Sequence, residues 1–224
     1  MLRRLTPAAD SRLNRRKWSK HDATVNSNHE PMLTETHLTV RLPPGQQDRL
    51  RTLASAFDCK LLLIELERGT FPVQPMLSWR QAGDLGETLR HAASLSQRLN
   101  DAGFEVVRVK IEVDLARIGI QPACYAEAHF KIRARPADWP RLSALSTAHG
   151  AHLSRNAWSR DTTSRDDHSE RRFVTLRHTD PRQAGAHFVA FETVLAGDGW
   201  EIESRTFEAV LFDDNLRLDE GWLQ

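Results

Sequence analysis

Polar and apolar residues alternate with period two from His37 to Leu42, with Leu38, Val40 and Leu42 on one side and His37, Thr39 and Arg41 on the other. That alternation predicts a half-buried strand. After Pro43-Pro44-Gly45 the period changes, and Leu50, Leu53, Ala54 and Phe57 share one stripe of a helix over 47–58. Residues 60–66 form an apolar second strand, and a third is expected near 76–80, beyond a loop containing Pro72. Over 87–102, Leu89, Ala92, Leu95 and Leu99 keep helical register until Gly103 stops the helix. A fourth strand, 104–113, places Val107, Val109, Ile111 and Val113 on one face.

The same pattern then recurs. Glu35-Thr36-His37-Leu38-Thr39-Val40-Arg41 lies over Glu127-Ala128-His129-Phe130-Lys131-Ile132-Arg133, and Pro44, Arg49, Leu50, Leu53 and Ala56 follow in frame with Pro136, Arg141, Leu142, Leu145 and Ala148. After a shift in the connecting loop, Met76-Leu77-Ser78-Trp79-Arg80 lies over Phe173-Val174-Thr175-Leu176-Arg177. Gly103-Phe104-Glu105-Val106 then lies over Gly199-Trp200-Glu201-Ile202. Three blocks matching in order indicate an internal duplication. The second copy is expected to run strand 126–134, helix 138–149, strands 151–158 and 171–177, helix 182–196 and strand 200–212.

The order β-α-β-β-α-β is the ferredoxin-like unit. The expected fold is therefore α+β, a tandem duplication giving two four-stranded antiparallel sheets, each covered by two helices on one face. The halves are placed at 33–116 and 124–224, the second with a C-terminal extension. Residues 159–169 read as a mobile polar loop.

Charge is unevenly placed: residues 1–31 carry a net +4 and the remainder −3. The first segment has little apolar periodicity and reads as a basic, disordered arm, the one part suited to nucleic acid. No apolar run approaches the roughly 18 residues that cross a bilayer, and no apolar stretch follows the N-terminal arginines as in a secretory signal. Cys59 and Cys124 lack the number and spacing of a disulfide framework or zinc site. A reduced, cytoplasmic protein without a membrane span is expected.

Alternation also assigns the open sheet faces. His37, Thr39 and Arg41 share one with Ser78, Arg80, Arg108, Lys110 and Glu112, and His129, Lys131 and Arg133 share the other with Thr175 and Arg177. If the sheets face one another, Arg41, Arg80, Arg108, Lys110, Lys131, Arg133 and Arg177 would form a cationic cleft. Guanidinium forks there suit an anionic, phosphate-bearing ligand, and the surrounding positive charge should lower the histidine pKa values. The competing reading is a solvated charged face on which Glu35, Glu112 and Glu127 pair most of these cations.

His37-Leu38-Thr39-Val40 resembles the His-x-Thr/Ser motif of the 2H phosphoesterases, bilobal proteins with one such motif per lobe. The resemblance covers only these few residues, and His129-Phe130-Lys131-Ile132 has lysine where the hydroxyl belongs. It implies a phosphoesterase in which His37 and His129 act as general base and acid. A third possibility is an interaction module whose open sheets bury a protein partner. Exposed strands lacking paired aromatics speak against nucleic acid elsewhere in the chain. No Gly-rich phosphate loop, nucleophile elbow or metal-ligand spacing is found, so neither cofactor nor metal is expected. The run Asp213-Asp214-Asn215 with Asp219-Glu220 reads as a strand-end cap more readily than as a cation site. Sequence alone leaves open whether the chain is an enzyme.

Overall fold

The structure is a computed structural model, and it describes residues 31–119, 122–159 and 169–222. Readings of the basic arm and of the 159–169 loop fall almost wholly outside these residues. The first half runs β1 (Met32–Val40), α1 (Gln47–Ala56), β2 (Lys60–Leu66), β3 (Val73–Gly83), α2 (Leu85–Asp101) and β4 (Val106–Asp114). The second runs β5 (Tyr125–Ala134), α3 (Trp139–Ala148), β6 (His152–Asn156), β7 (Glu170–His178), α4 (Pro181–Gly197) and β8 (Ile202–Asp213).

Local chemistry sets the long helices. Asp84 and Glu87 close a reciprocal capping box at the start of α2, and Thr88, Ala92, Leu95 and Leu99 are its buried stripe. α2 and α4 stop alike. Gly103 and Gly199 both take φ of +83°, and the next residue donates back into the helix, Phe104 to Leu99 and Trp200 to Leu195. Glycine adopts that left-handed conformation without a Cβ penalty.

The expected pair of separate four-stranded sheets is not found. All eight strands close one antiparallel barrel in the order β1-β3-β2-β6-β7-β5-β8-β4. Its seams join equivalent edges of the two halves. β2 pairs with β6 through Ile64–Asn156, Glu65–Arg155 and Leu66–Ser154, and β4 pairs with β8 from Lys110–Asp213 to Asp114–Glu208. The physical reason for the difference is the edge strand, whose unpaired N–H and C=O groups favour a partner. Period-two alternation fixes which side chains face which way but carries no information on edge pairing. A ferredoxin-like pair of sheets is thereby replaced by a barrel with four helices outside.

Two apolar cores lie between wall and helices. One gathers Leu38, Leu50, Leu77, Leu95, Leu99 and Phe104, the other Phe130, Ile132, Leu142, Val174, Phe188 and Leu195. The strand faces left over point inward. They are mostly polar, so the middle of the molecule is not its hydrophobic core. The C-terminal segment folds back on the barrel: Thr70 N–H donates to Glu220 O and Gln74 to Leu218 O, while Trp222 Nε1–H donates to Leu153 O. Gly69, at φ +118°, makes that close approach possible, since a Cβ there would stand 3.1 Å from Trp222 Cβ. Among the described residues no helix is long and apolar enough to cross a membrane.

Candidate functional site

The duplicated register brings matching groups to the barrel interior. On β1, Glu35 stands opposite Arg80 and Glu112, and His37 opposite Ser78 and Lys110. On β5, Glu127 stands opposite Arg177 and Glu208, and His129 opposite Thr175 and Thr206. Each histidine meets the carboxylate of its own half's last strand. His37 Nε2 is 2.7 Å from Glu112 Oε2, and His129 Nε2 is 3.3 Å from Glu208 Oε2 and 3.5 Å from Glu127 Oε2. The other ring nitrogen of His129, Nδ1, lies 3.0 Å from Thr175 Oγ1. His37 Nδ1 is buried with no hydrogen-bond partner among the described residues.

The halves differ on their last strands, where β4 carries Arg108 and Lys110 but β8 carries Ser204 and Thr206. The two extra cations hold a buried ionic network. Lys110 Nζ lies 2.6 Å from Glu112 Oε1 and 3.0 Å from Glu127 Oε2. Arg108 binds Asp213 at 2.6 Å and Asp219 at 2.8 Å, and Arg177 binds Glu127 at 2.7 Å and Asp219 at 2.5 Å. Tyr125 donates its hydroxyl to Asp213. The acidic C-terminal run thus supplies counter-ions to the barrel interior through Asp213 and Asp219.

Burial and charge act against each other here. Burial alone would raise the Glu112 carboxyl, but Lys110 and His37 outweigh it and hold it at about 2. Glu127 is likewise held well below its ordinary value, because Lys110, His129 and Arg177 overcome its burial. For His129, burial would favour the neutral ring, yet hydrogen bonds and charge from Glu208 and Glu127 raise it to about 10. Its shift runs opposite to the one expected from surrounding cations, because the nearest groups are carboxylates. The Tyr125 hydroxyl is pushed up, first by burial and then by the Glu127 charge.

A cavity of about 340 Å³ occupies the interior. His37, Lys110, Glu112, His129 and Glu208 line its polar part, while Leu62, Ile64, Leu66, Met76, Phe173 and Trp222 line much of the rest, with Gln74, Ser154 and Asn156 set among them. An adjoining cavity of about 340 Å³ shares Glu35, Arg80, Glu112, Thr206 and Glu208 and reaches Leu33 and Arg117. The ligand atoms offered by Glu112, His129 and Glu208 all lie within 4.8 Å of one another.

Of the residues singled out in the sequence, His37, His129, Arg80, Arg108 and Lys110 line the cavity. Arg177 is buried on Glu127 and Asp219. Arg41 is turned out onto Glu105 near the end of β1, and Lys131 and Arg133 are both held by Glu203. Arg80 pairs with Glu35. The expected surplus of cations is therefore absent among the described residues, because each of these arginines and lysines faces a carboxylate. The faces read as open to a protein partner are turned toward each other inside one chain. Sequence reasoning missed Glu208, Asp213 and Asp219 as interior groups, and it missed the apolar pole. The repeat offered one clue, since the frame that aligns Gly103 with Gly199 carries Glu112 onto Glu208.

No family model matches this chain, and no curated protein matches it. Among solved structures it is similar to a candidate monooxygenase from Fusobacterium nucleatum subsp. nucleatum at 10% identity, covering 88% of this chain and 98% of that one, with a TM-score of 0.30. A candidate monooxygenase from Lactobacillus acidophilus matches at 14% identity over 88% and 100%, also with a TM-score of 0.30. A heme-binding protein from Thermus thermophilus matches at 12% identity over 82% and 92%, with a TM-score of 0.27. Likenesses this distant carry no argument about the chemistry of the site.

Proposed function

We propose that this chain binds a small amphipathic molecule inside its barrel. The observation that carries the reading is an interior cavity with two poles, apolar around Leu62, Ile64 and Phe173 and polar around His37 and His129. Ligand sites are commonly concave and largely apolar, with a few convergent polar groups that fix orientation. The apolar pole takes the body of the ligand, and the imidazole and carboxylate groups exchange hydrogen bonds with its head. A phosphate-bearing head is less well served, since Lys110 and Arg108 are already committed to carboxylates. Losing those partners would leave charge uncompensated in a poorly solvated place.

A hydrolytic reading keeps one observation in its favour, because both imidazoles line the same cavity. Its motif is weakened by Lys131, which points to Glu203. Binding is tested with N-phenyl-1-naphthylamine, a neutral and largely apolar fluorophore with a single N–H donor. One molecule per chain should bind with a rise in emission, and Leu62→Trp should abolish it by filling the cavity. Emission unchanged by Leu62→Trp would refute the interior site. Turnover of a chromogenic phosphodiester, lost in both His37→Ala and His129→Ala, would convert the binder into an enzyme.

A further inference from the structure

We infer that the polar pole is a divalent metal site, with Glu112, His129 and Glu208 as the protein ligands and a first-row ion such as Zn²⁺ or Mn²⁺ as the occupant. The inference rests on the cavity being a ligand site and specifies what its polar half takes.

Three observations support it independently. The first is geometric. The three donor atoms lie within 4.8 Å of one another, and a tetrahedral ion with bonds near 2.1 Å needs its ligands about 3.4 Å apart. Small side-chain rotations close that gap. The donors come from β4, β5 and β8, which are neighbours in the barrel wall, so a rigid scaffold holds them. Mixed imidazole and carboxylate donors suit a first-row divalent ion such as zinc, manganese or ferrous iron better than calcium.

The second is a charge count. Five buried or nearly buried carboxylates (Glu112, Glu127, Glu208, Asp213 and Asp219) face three permanently charged bases, Arg108, Lys110 and Arg177. Asp213 and Asp219 are matched by Arg108 and Arg177, which leaves Glu112, Glu127 and Glu208 with Lys110 and the protonated His129, a deficit of one positive charge that becomes two when His129 gives up its proton to ligate. A divalent ion supplies that charge at the place where it is missing.

The third is the second layer of contacts. Thr175 Oγ1 holds His129 Nδ1 at 3.0 Å, which directs Nε2 to the carboxylates. His37 Nε2, 2.7 Å from Glu112 Oε2, orients that carboxylate. Metal-binding histidines and carboxylates are usually held by such outer partners. Lys110 donates its hydrogen bond to Glu127 Oε2, whereas Glu112 Oε1, although 2.6 Å from Lys110 Nζ, is buried and makes no hydrogen bond among the described residues.

The test uses the full chain, stripped with a chelator and titrated calorimetrically with Zn²⁺ and, separately, Mn²⁺. One ion should bind per chain. Glu208→Gln and His129→Gln should each weaken binding by about 10–100-fold or more, since losing even an outer partner of a metal ligand costs that much. Glu208→Gln alters a partly buried side chain, so it keeps the test decisive if His129→Gln fails to fold. No binding of either ion, or binding undiminished by both variants, overturns the inference. N-phenyl-1-naphthylamine is titrated into the same stripped protein. Dye binding without metal binding refutes the metal site and leaves the cavity reading standing, whereas binding of neither refutes both.

Discussion

His37 and His129 hold the same register position in the two halves of one barrel, His37 between Ser78 and Lys110 and His129 between Thr175 and Thr206. A duplicated strand alone would set two histidines on two surfaces. Closure of the barrel sets them on the wall of one cavity, each bound to a glutamate from the last strand of its own half. The partners across the barrel then decide what each imidazole can do.

Closure itself can be tested at the β2–β6 seam, where Glu65 and Arg155 are direct antiparallel partners at the surface. Replacing Cys59 and Cys124 with serine, then introducing Glu65→Cys and Arg155→Cys, should give an intrachain disulfide on mild oxidation. Opposed residues in antiparallel strands hold their Cβ atoms about 4.5–5.5 Å apart, a separation that slight strand adjustment brings into disulfide range. A monomer that keeps both thiols free under oxidation would mean that the seam is open.

The ionic network makes a claim about stability. Arg108 is the shared counter-ion of Asp213 and Asp219 and is almost fully buried. Arg108→Ala leaves Asp213 without a cation and Asp219 with Arg177 alone, and breaking a buried pair from one side costs about 3–5 kcal/mol. Urea denaturation should show a loss of that size. A loss under about 1 kcal/mol would show that water reaches the network and that the cation is dispensable.

A pH dependence follows from His152 on β6. Burial lowers its pKa to about 4, with help from the charge of Arg68, whose guanidinium it contacts. A histidine in the unfolded chain titrates near 6.5. Between these values the unfolded chain takes up a proton at His152 that the native protein refuses, so stability declines as pH falls from about 6.5 toward 4. The urea midpoint should drop over that interval, and His152→Gln should flatten the part of the slope due to this residue. An identical slope in the variant would assign the acid sensitivity to the carboxylates alone.

Much of this was legible in the residues, and the rest was hidden for definable reasons. The repeat and its periods placed the four helices within about two residues of their observed bounds, because capping at Asp84 and glycine stops at Gly103 and Gly199 are local events. Alternation put His37 and His129 on the face away from the helices. It could not show that this face closes on itself, since edge pairing between Leu66 and Ser154 depends on residues far apart in sequence. For the same reason the cations looked unopposed: Glu208, Asp213 and Asp219 lie far in sequence from the groups they neutralise. A metal-ligand spacing was invisible because Glu112, His129 and Glu208 sit on three strands and form no local motif.

The central claim is that both histidines face one ligand-binding interior. The measurement that tests it most directly is NMR of ¹⁵N-histidine-labelled protein titrated with N-phenyl-1-naphthylamine, with ring signals assigned from His37→Gln and His129→Gln. Signals of His37 and His129 should move together and saturate at one dye per chain, and neither should move in Leu62→Trp. Dye binding that leaves both rings unperturbed, or that shifts one alone, would contradict the account.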